Sequence, residues 1–164
     1  METFQIALFI ATLLCTLVAG FVFAFAVVVM PGIRSLGDGE FLRAFQVMDR
    51  VIQRSQPVFI LVWIGSVVAL LASAALGFGQ LDGVGRSLVI AAVLVYLLGV
   101  QLPTAIINIP LNNMIQTLTI SDMDERAQNA ARREFESRWN RSNVTRTVLA
   151  SLVSILLLIL LLRL

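Results

Sequence analysis

The chain has 164 residues, 59% of them hydrophobic, with a formal net charge of +2 and neither histidine nor lysine. So small a charge, with arginines and acids mixed, carries no signal for nucleic acid. The missing histidine removes the usual haem ligand, zinc ligand and neutral-pH base, and a lone Cys15 allows neither a disulfide framework nor a cysteine metal cluster.

A soluble domain intersperses its apolar residues with polar ones. Here the mean hydropathy is +0.92, and the apolar residues come in blocks. Four blocks, at about 4–30, 57–78, 88–110 and 143–163, approach the roughly 20 residues that cross a bilayer as a helix. The pattern predicts an all-α protein with a single transmembrane domain over residues 1–164. Its expected form is an integral membrane four-helix bundle with an interfacial amphipathic helix and a cytoplasmic extension of the fourth helix.

The first block has no Arg ahead of it and is about twice the length of a signal-peptide core, so it reads as a retained span. Pro31 and Gly32 are expected to end it. Asp38 is placed to cap a helix from about Gly39 to Arg54, on which Phe41, Phe45, Met48 and Ile52 make an apolar face. That helix reads first as lying on lipid headgroups, and alternatively as a lid over the mouth of the bundle. The second span carries Gly65, Ala69, Ser73 and Gly77 at every fourth position, an interval that lets a neighbouring backbone approach closely. Trp63 and Trp139 read as interfacial anchors.

The third span ends in QLPTAIINIPLNN, residues 101–113. On a helix Gln101, Thr104, Asn108 and Asn112 share one face, while Pro103 and Pro110 each remove a backbone donor and break the helix. Such a face belongs inside the bundle, either as polar glue between helices or as the lining of a pocket. The polar segment that follows opens with Ser121 and Asp124 in capping-box positions. Met123, Ala127, Ala131, Phe135 and Trp139 then recur every fourth residue, continuing to Asn143 and Arg146. One helix is expected to run from that segment into the fourth span. Arg146, a charge at the start of a span, needs partners; Asn108, Asn112 or the Ile106 carbonyl freed by Pro110 are the expected ones.

The arginines are concentrated in the first and third connections, with only Arg86 and Arg163 on the other side. The positive-inside rule places those connections in the cytoplasm and both termini outside, in a multi-pass protein of the bacterial inner membrane.

Three stretches resemble the anthrone-oxygenase-like family of small membrane proteins. GFVFAFAVVVMPGIRSL resembles its first span and proline exit. NIPLNN matches its Asn-Val-Pro-Leu-Asn motif at Asn108, Pro110, Leu111 and Asn112. WNRSNVTRT matches its Trp-Thr-Arg-Trp-Asn-His-Val-Arg-Thr motif at Trp139, Arg141, Asn143, Arg146 and Thr147. The chain departs from the family at Ser142, where a second Trp is common, at Val144, where the family has His, and at Asp49, where it has Asn.

The resemblance implies oxidation of an activated ring methylene to a quinone carbonyl. That chemistry needs a base, donors for the enolate oxygen and a dry apolar pocket. Arg146 and Asp49 are the candidate catalytic residues, with Asp49 as base. Gln101, Thr104, Asn108, Asn112, Trp139 and Asn143 are the candidate binding residues. No metal site and no cofactor are expected. The expected partners are the lipid bilayer and a lipophilic aromatic or quinone-type small molecule, not nucleic acid. The alternative is a non-catalytic helical membrane protein in which the same Asn/Arg motif is a structural clasp between the third and fourth spans.

Overall fold

The computed structural model describes residues 2–164, and its regular elements are helices. Thr3–Ile33 (α1), Pro57–Gly77 (α3), Gly83–Thr117 (α4) and Glu125–Leu162 (α5) are long and apolar enough to cross a membrane. The shorter Asp38–Gln53 (α2) lies between the first two, and Ser55, at φ 59°, reverses the chain into α3.

α1 packs on α3 and α5, α5 packs on α4, and the first half of α4 packs back on α3, closing a ring of four helices. Phe4, Leu8, Cys15, Leu70, Tyr96 and Leu157 fill its core. The outer surface is apolar as well. Phe9, Leu61, Leu98 and Val148 are 57%, 68%, 61% and 62% exposed, a belt that water disfavours and hydrocarbon accepts. The protein is therefore a multi-pass membrane bundle. The small-residue stripe of α3 meets α1 closely: the Phe4 ring lies where a Cβ on Gly77 would go, and a Cβ on Gly65 would sit 3.1 Å from Leu14.

Three prolines lie inside helices. Pro31, Pro103 and Pro110 each follow a π turn by two residues, the turns being Phe25–Val29, Leu97–Gln101 and Thr104–Asn108. A proline lacks the N–H of the helical ladder, and its ring collides with the carbonyl four residues back. A π turn admits one extra residue and moves that carbonyl aside. The expected breaks at Pro31, Pro103 and Pro110 are thus corrected to widened turns, and α1 and α4 continue through them to Ile33 and Thr117.

α2 covers one end of the bundle. Gly37 rather than Asp38 precedes it, with the Gly37 N–H donating to Glu40 at 3.3 Å. Asp38 instead accepts from Asn129 at 2.7 Å and Arg132 at 3.0 Å on α5. The buried face of α2 is Phe41, Leu42, Phe45 and Asp49. Met48 is only half-buried, so the face is rotated from the apolar one read in the sequence, and Asp49 is part of it. This face rests on protein. Phe41 and Phe45 join Met30, Ile115, Phe135 and Trp139 in a second core, so the interfacial helix also packs over the end of the bundle as a lid.

α5 starts at Glu125, where Asp124 caps it by accepting from Ala127 N–H at 2.8 Å. Ser121 opens no capping box, because Ile120–Asp122 form a separate turn of 3-10 helix. α5 then runs unbroken into the fourth span, with Phe135, Trp139, Asn143 and Arg146 buried along one face.

Candidate functional site

Between the two cores lies a cavity of about 170 Å³. Its aromatic wall is Phe21 and Phe25 of α1, Phe45 of α2, Phe59 and Trp63 of α3 and Trp139 of α5. Its polar wall is Asp49 of α2, Thr104, Asn108 and Asn112 of α4, and Asn143 and Arg146 of α5. The π turns Phe25–Val29 and Thr104–Asn108 contribute to it directly, through Phe25, Thr104 and Asn108. Widened turns of this kind often mark functional positions in helices.

Arg146 is 4% exposed and donates to Thr104 Oγ1 and Asn143 Oδ1, each at 2.8 Å. Its guanidinium lies 5.9 Å from the centre of the Trp139 ring. The bond to Thr104 joins α4 and α5 at the expected level, but through a different partner. Asn108, Asn112 and the Ile106 carbonyl do not receive Arg146, and Ile106 is 62% exposed on the outer face. Asn143 in turn donates to the Val22 carbonyl of α1 at 3.0 Å, so Arg146 is held by groups that tie three helices together.

Asp49, 3% exposed, accepts from Asn112 at 2.8 Å, Gln116 at 2.8 Å and Gln53 at 3.3 Å. A carboxylate offers about four lone-pair positions, so this arrangement leaves one open. Asn112 Oδ1 accepts from Trp139 Nε1 at 2.8 Å, which fixes the ring against the cavity. Neither Asp49 nor Arg146 joins an ion pair among the described residues. Two buried groups of opposite formal charge therefore line one cavity without neutralising each other.

Three buried nitrogens have no acceptor: Arg146 Nε, Asn108 Nδ2 and Gln101 Nε2. Asn108 and Arg146 line the cavity. Gln101 does not, but its Oε1 accepts from Trp63 Nε1 at 2.9 Å, and Trp63 does. All three orphans are donors, and among the described residues no buried side-chain oxygen is left over with them. Leaving such a donor unpaired costs about 1–3 kcal/mol.

The structure thus brings Asp49, Thr104, Asn108, Asn112, Trp139, Asn143 and Arg146 to one cavity and leaves Gln101 at its edge. The sequence reading missed Ser142, which donates to Asn108 Oδ1 at 2.7 Å, and the amides of Gln53 and Gln116. It also preferred an anchor at the membrane surface to a substrate role for Trp63. Val144, at the family's His position, is 51% exposed and borders a separate groove with Pro31 and Arg34. Among the described residues no group of three or more Cys, Asp and Glu side chains is placed to hold a metal.

No curated protein and no solved structure matches the chain. The model of the anthrone oxygenase family matches residues 45–156, a stretch that contains α3, α4, most of α5 and every polar group of the cavity wall. The chain belongs to the anthrone oxygenase family.

Proposed function

We propose that the cavity binds one ring of a lipophilic aromatic compound carrying acceptor oxygens, and that it oxidises an activated ring methylene to a carbonyl. The observation that carries this reading is the set of orphaned donors. A clasp built only to hold α4 to α5 would satisfy its own hydrogen bonds; here the bonds of Arg146 to Thr104 and Asn143 hold the helices, while N–H groups beside the cavity remain unspent. A carbonyl, phenolate or enolate oxygen supplies the missing acceptor, and the six aromatic side chains supply an apolar bed. The clasp is the second reading, and those same bonds favour it.

Asp49 takes the methylene proton, and the C–H electron pair delocalises onto the ring oxygen that faces Asn108 and Arg146. Donors aimed at that developing charge favour the step. Dioxygen oxidises the carbanion and forms the new C–O bond, and the proton held by Asp49 returns to the peroxide oxygen to give a hydroperoxide. Its loss of water leaves the carbonyl: one oxygen atom ends in product, the other in water.

Both tryptophans of the chain line the cavity, so intrinsic fluorescence reports its occupancy. In nanodiscs, a naphthoquinone should quench it saturably. Asn108→Leu should weaken binding by about tenfold or more, as expected for losing a bond worth roughly 1.4 kcal/mol. Asp49→Asn should keep binding while ending dioxygen uptake with anthrone. Equal titrations for wild type and Asn108→Leu would sink the reading.

A further inference from the structure

The cavity is too small for three fused rings. An apolar cavity of about 150 Å³ takes a benzene, and this one is about 170 Å³. The rest of any larger ligand must lie outside it, and one side of the bundle has the gap. α3 packs on Gly83–Tyr96 of α4 but has at most sparse contact with the π turns Leu97–Gln101 and Thr104–Asn108 above. The Trp63–Gln101 hydrogen bond bridges that separation at its lower end. Higher up, Phe59 on α3 and Ile109 on α4 both line the cavity, with Ile52 of α2 as a further wall. Phe59 is only half-buried and Ile109 is 46% exposed, so these side chains line the cavity and also reach the outer surface. Phe59 and Trp63 lie in the first two turns of α3, within about 10 Å of its start at 1.5 Å per residue. The gap therefore meets the bilayer near the headgroup boundary.

We infer that this gap is a lateral portal, and that the ligand is a membrane-dissolved amphiphile. Its oxygen-bearing ring enters between Phe59 and Ile109, while its apolar remainder stays among the acyl chains. The inference rests on the binding reading above. It explains how a cavity sized for one ring serves a larger molecule. It also explains why Gln101 and Thr104, both polar, are only half-buried at the edge of a bilayer-facing gap.

The test uses the full chain in nanodiscs, with naphthoquinones bearing alkyl tails from methyl to decyl opposite the oxygen-bearing ring. Affinity is read by tryptophan quenching and expressed as mole fraction in lipid. Tails left in lipid should change affinity by less than about threefold, whereas an enclosed site should reject the long ones by about tenfold or more. Ile109→Phe, which adds bulk at the rim where the tail leaves the cavity, should weaken the decyl probe at least about threefold more than the methyl probe. Rejection of long tails by wild type, or equal effects of Ile109→Phe on short and long probes, overturns the portal but leaves the cavity standing. Absence of quenching by the methyl probe in wild type overturns both.

Discussion

Arg146 keeps a full charge inside the protein because its neighbours are fixed acceptors rather than acids. Thr104 Oγ1 takes one proton and itself donates to the Val100 carbonyl at 2.7 Å, and Asn143 Oδ1 takes another. Removing the charge relieves a desolvation penalty but strands Asn143 Oδ1, so the two effects partly offset. Arg146→Leu should therefore destabilise the bundle modestly, by about 1–2 kcal/mol. Arg146→Ala adds an unfilled volume and should cost about 2 kcal/mol more. Denaturant unfolding in detergent measures both, and equal losses for Leu and Ala would show that no space is being filled. Both variants should lose quinone quenching.

At this scale the sequence was informative wherever residues share an element. Thr104, Asn108 and Asn112 announce a common face by spacing, and so do Trp139, Asn143 and Arg146. It was weaker on pairings between elements: it joined Arg146 to the third span but not to Thr104. Nothing near Ser142 shows that its hydroxyl will meet Asn108, and Asp49, though a candidate base, had no placement, because an apolar periodicity does not count an acid as a member of the buried stripe.

Among the elements, α2 is tied at its start by one side chain of α5, in addition to its buried face. Arg132 donates to the Arg34 and Leu36 carbonyls at the exit of α1, to Asp38 at the start of α2 and to Glu136 on its own helix, at 2.8–3.0 Å. Its guanidinium also lies 4.3 Å from the centre of the Phe41 ring. The Asn129 amide, and after it Arg132, hold the Asp38 carboxyl below its ordinary value. A depressed folded value means that the stabilisation is complete above the usual Asp range, near pH 4, and fades as pH falls through the folded value. The pair is partly exposed, so its worth is on the order of 1 kcal/mol. Hydrogen exchange of the α2 amides should be flat from neutral pH to about pH 4 once intrinsic rates are divided out, and should rise several-fold below it. Asp38→Asn should show the raised exchange already at neutral pH. An acid-induced rise of the same size in that variant would remove Asp38 as the cause. The sequence could offer α2 as a helix with an apolar face. It could not choose lipid or protein as the surface beneath it, because Phe and Leu bury equally well in either.

For the whole molecule, the distribution of charge along the bundle axis bears on how it sits in a bilayer. One end carries α2 and the start of α5 with Arg34, Arg43, Arg50, Arg54, Arg126, Arg132, Arg133, Arg138 and Arg141; the other carries Arg86 and Arg163. At that second end Arg163 pairs with Asp82 at 2.9 Å, placing the end of α5 beside the connection from α3 to α4. Four spans return the chain to its starting side, and bilayer insertion favours leaving Arg-rich segments in the cytoplasm. The proposed orientation therefore puts the α2 lid, and the cavity end of the bundle, toward the cytoplasmic side. Single cysteines at Arg54, Arg126 and Gly83, all exposed positions, test it in a background where the buried Cys15 is replaced by alanine. With an impermeant thiol reagent added outside intact cells, Gly83→Cys should label, while Arg54→Cys and Arg126→Cys should label only after the membrane is opened. The reverse pattern would put the lid on the outer face, and the ligand would then be drawn from the opposite leaflet through the same gap between α3 and α4.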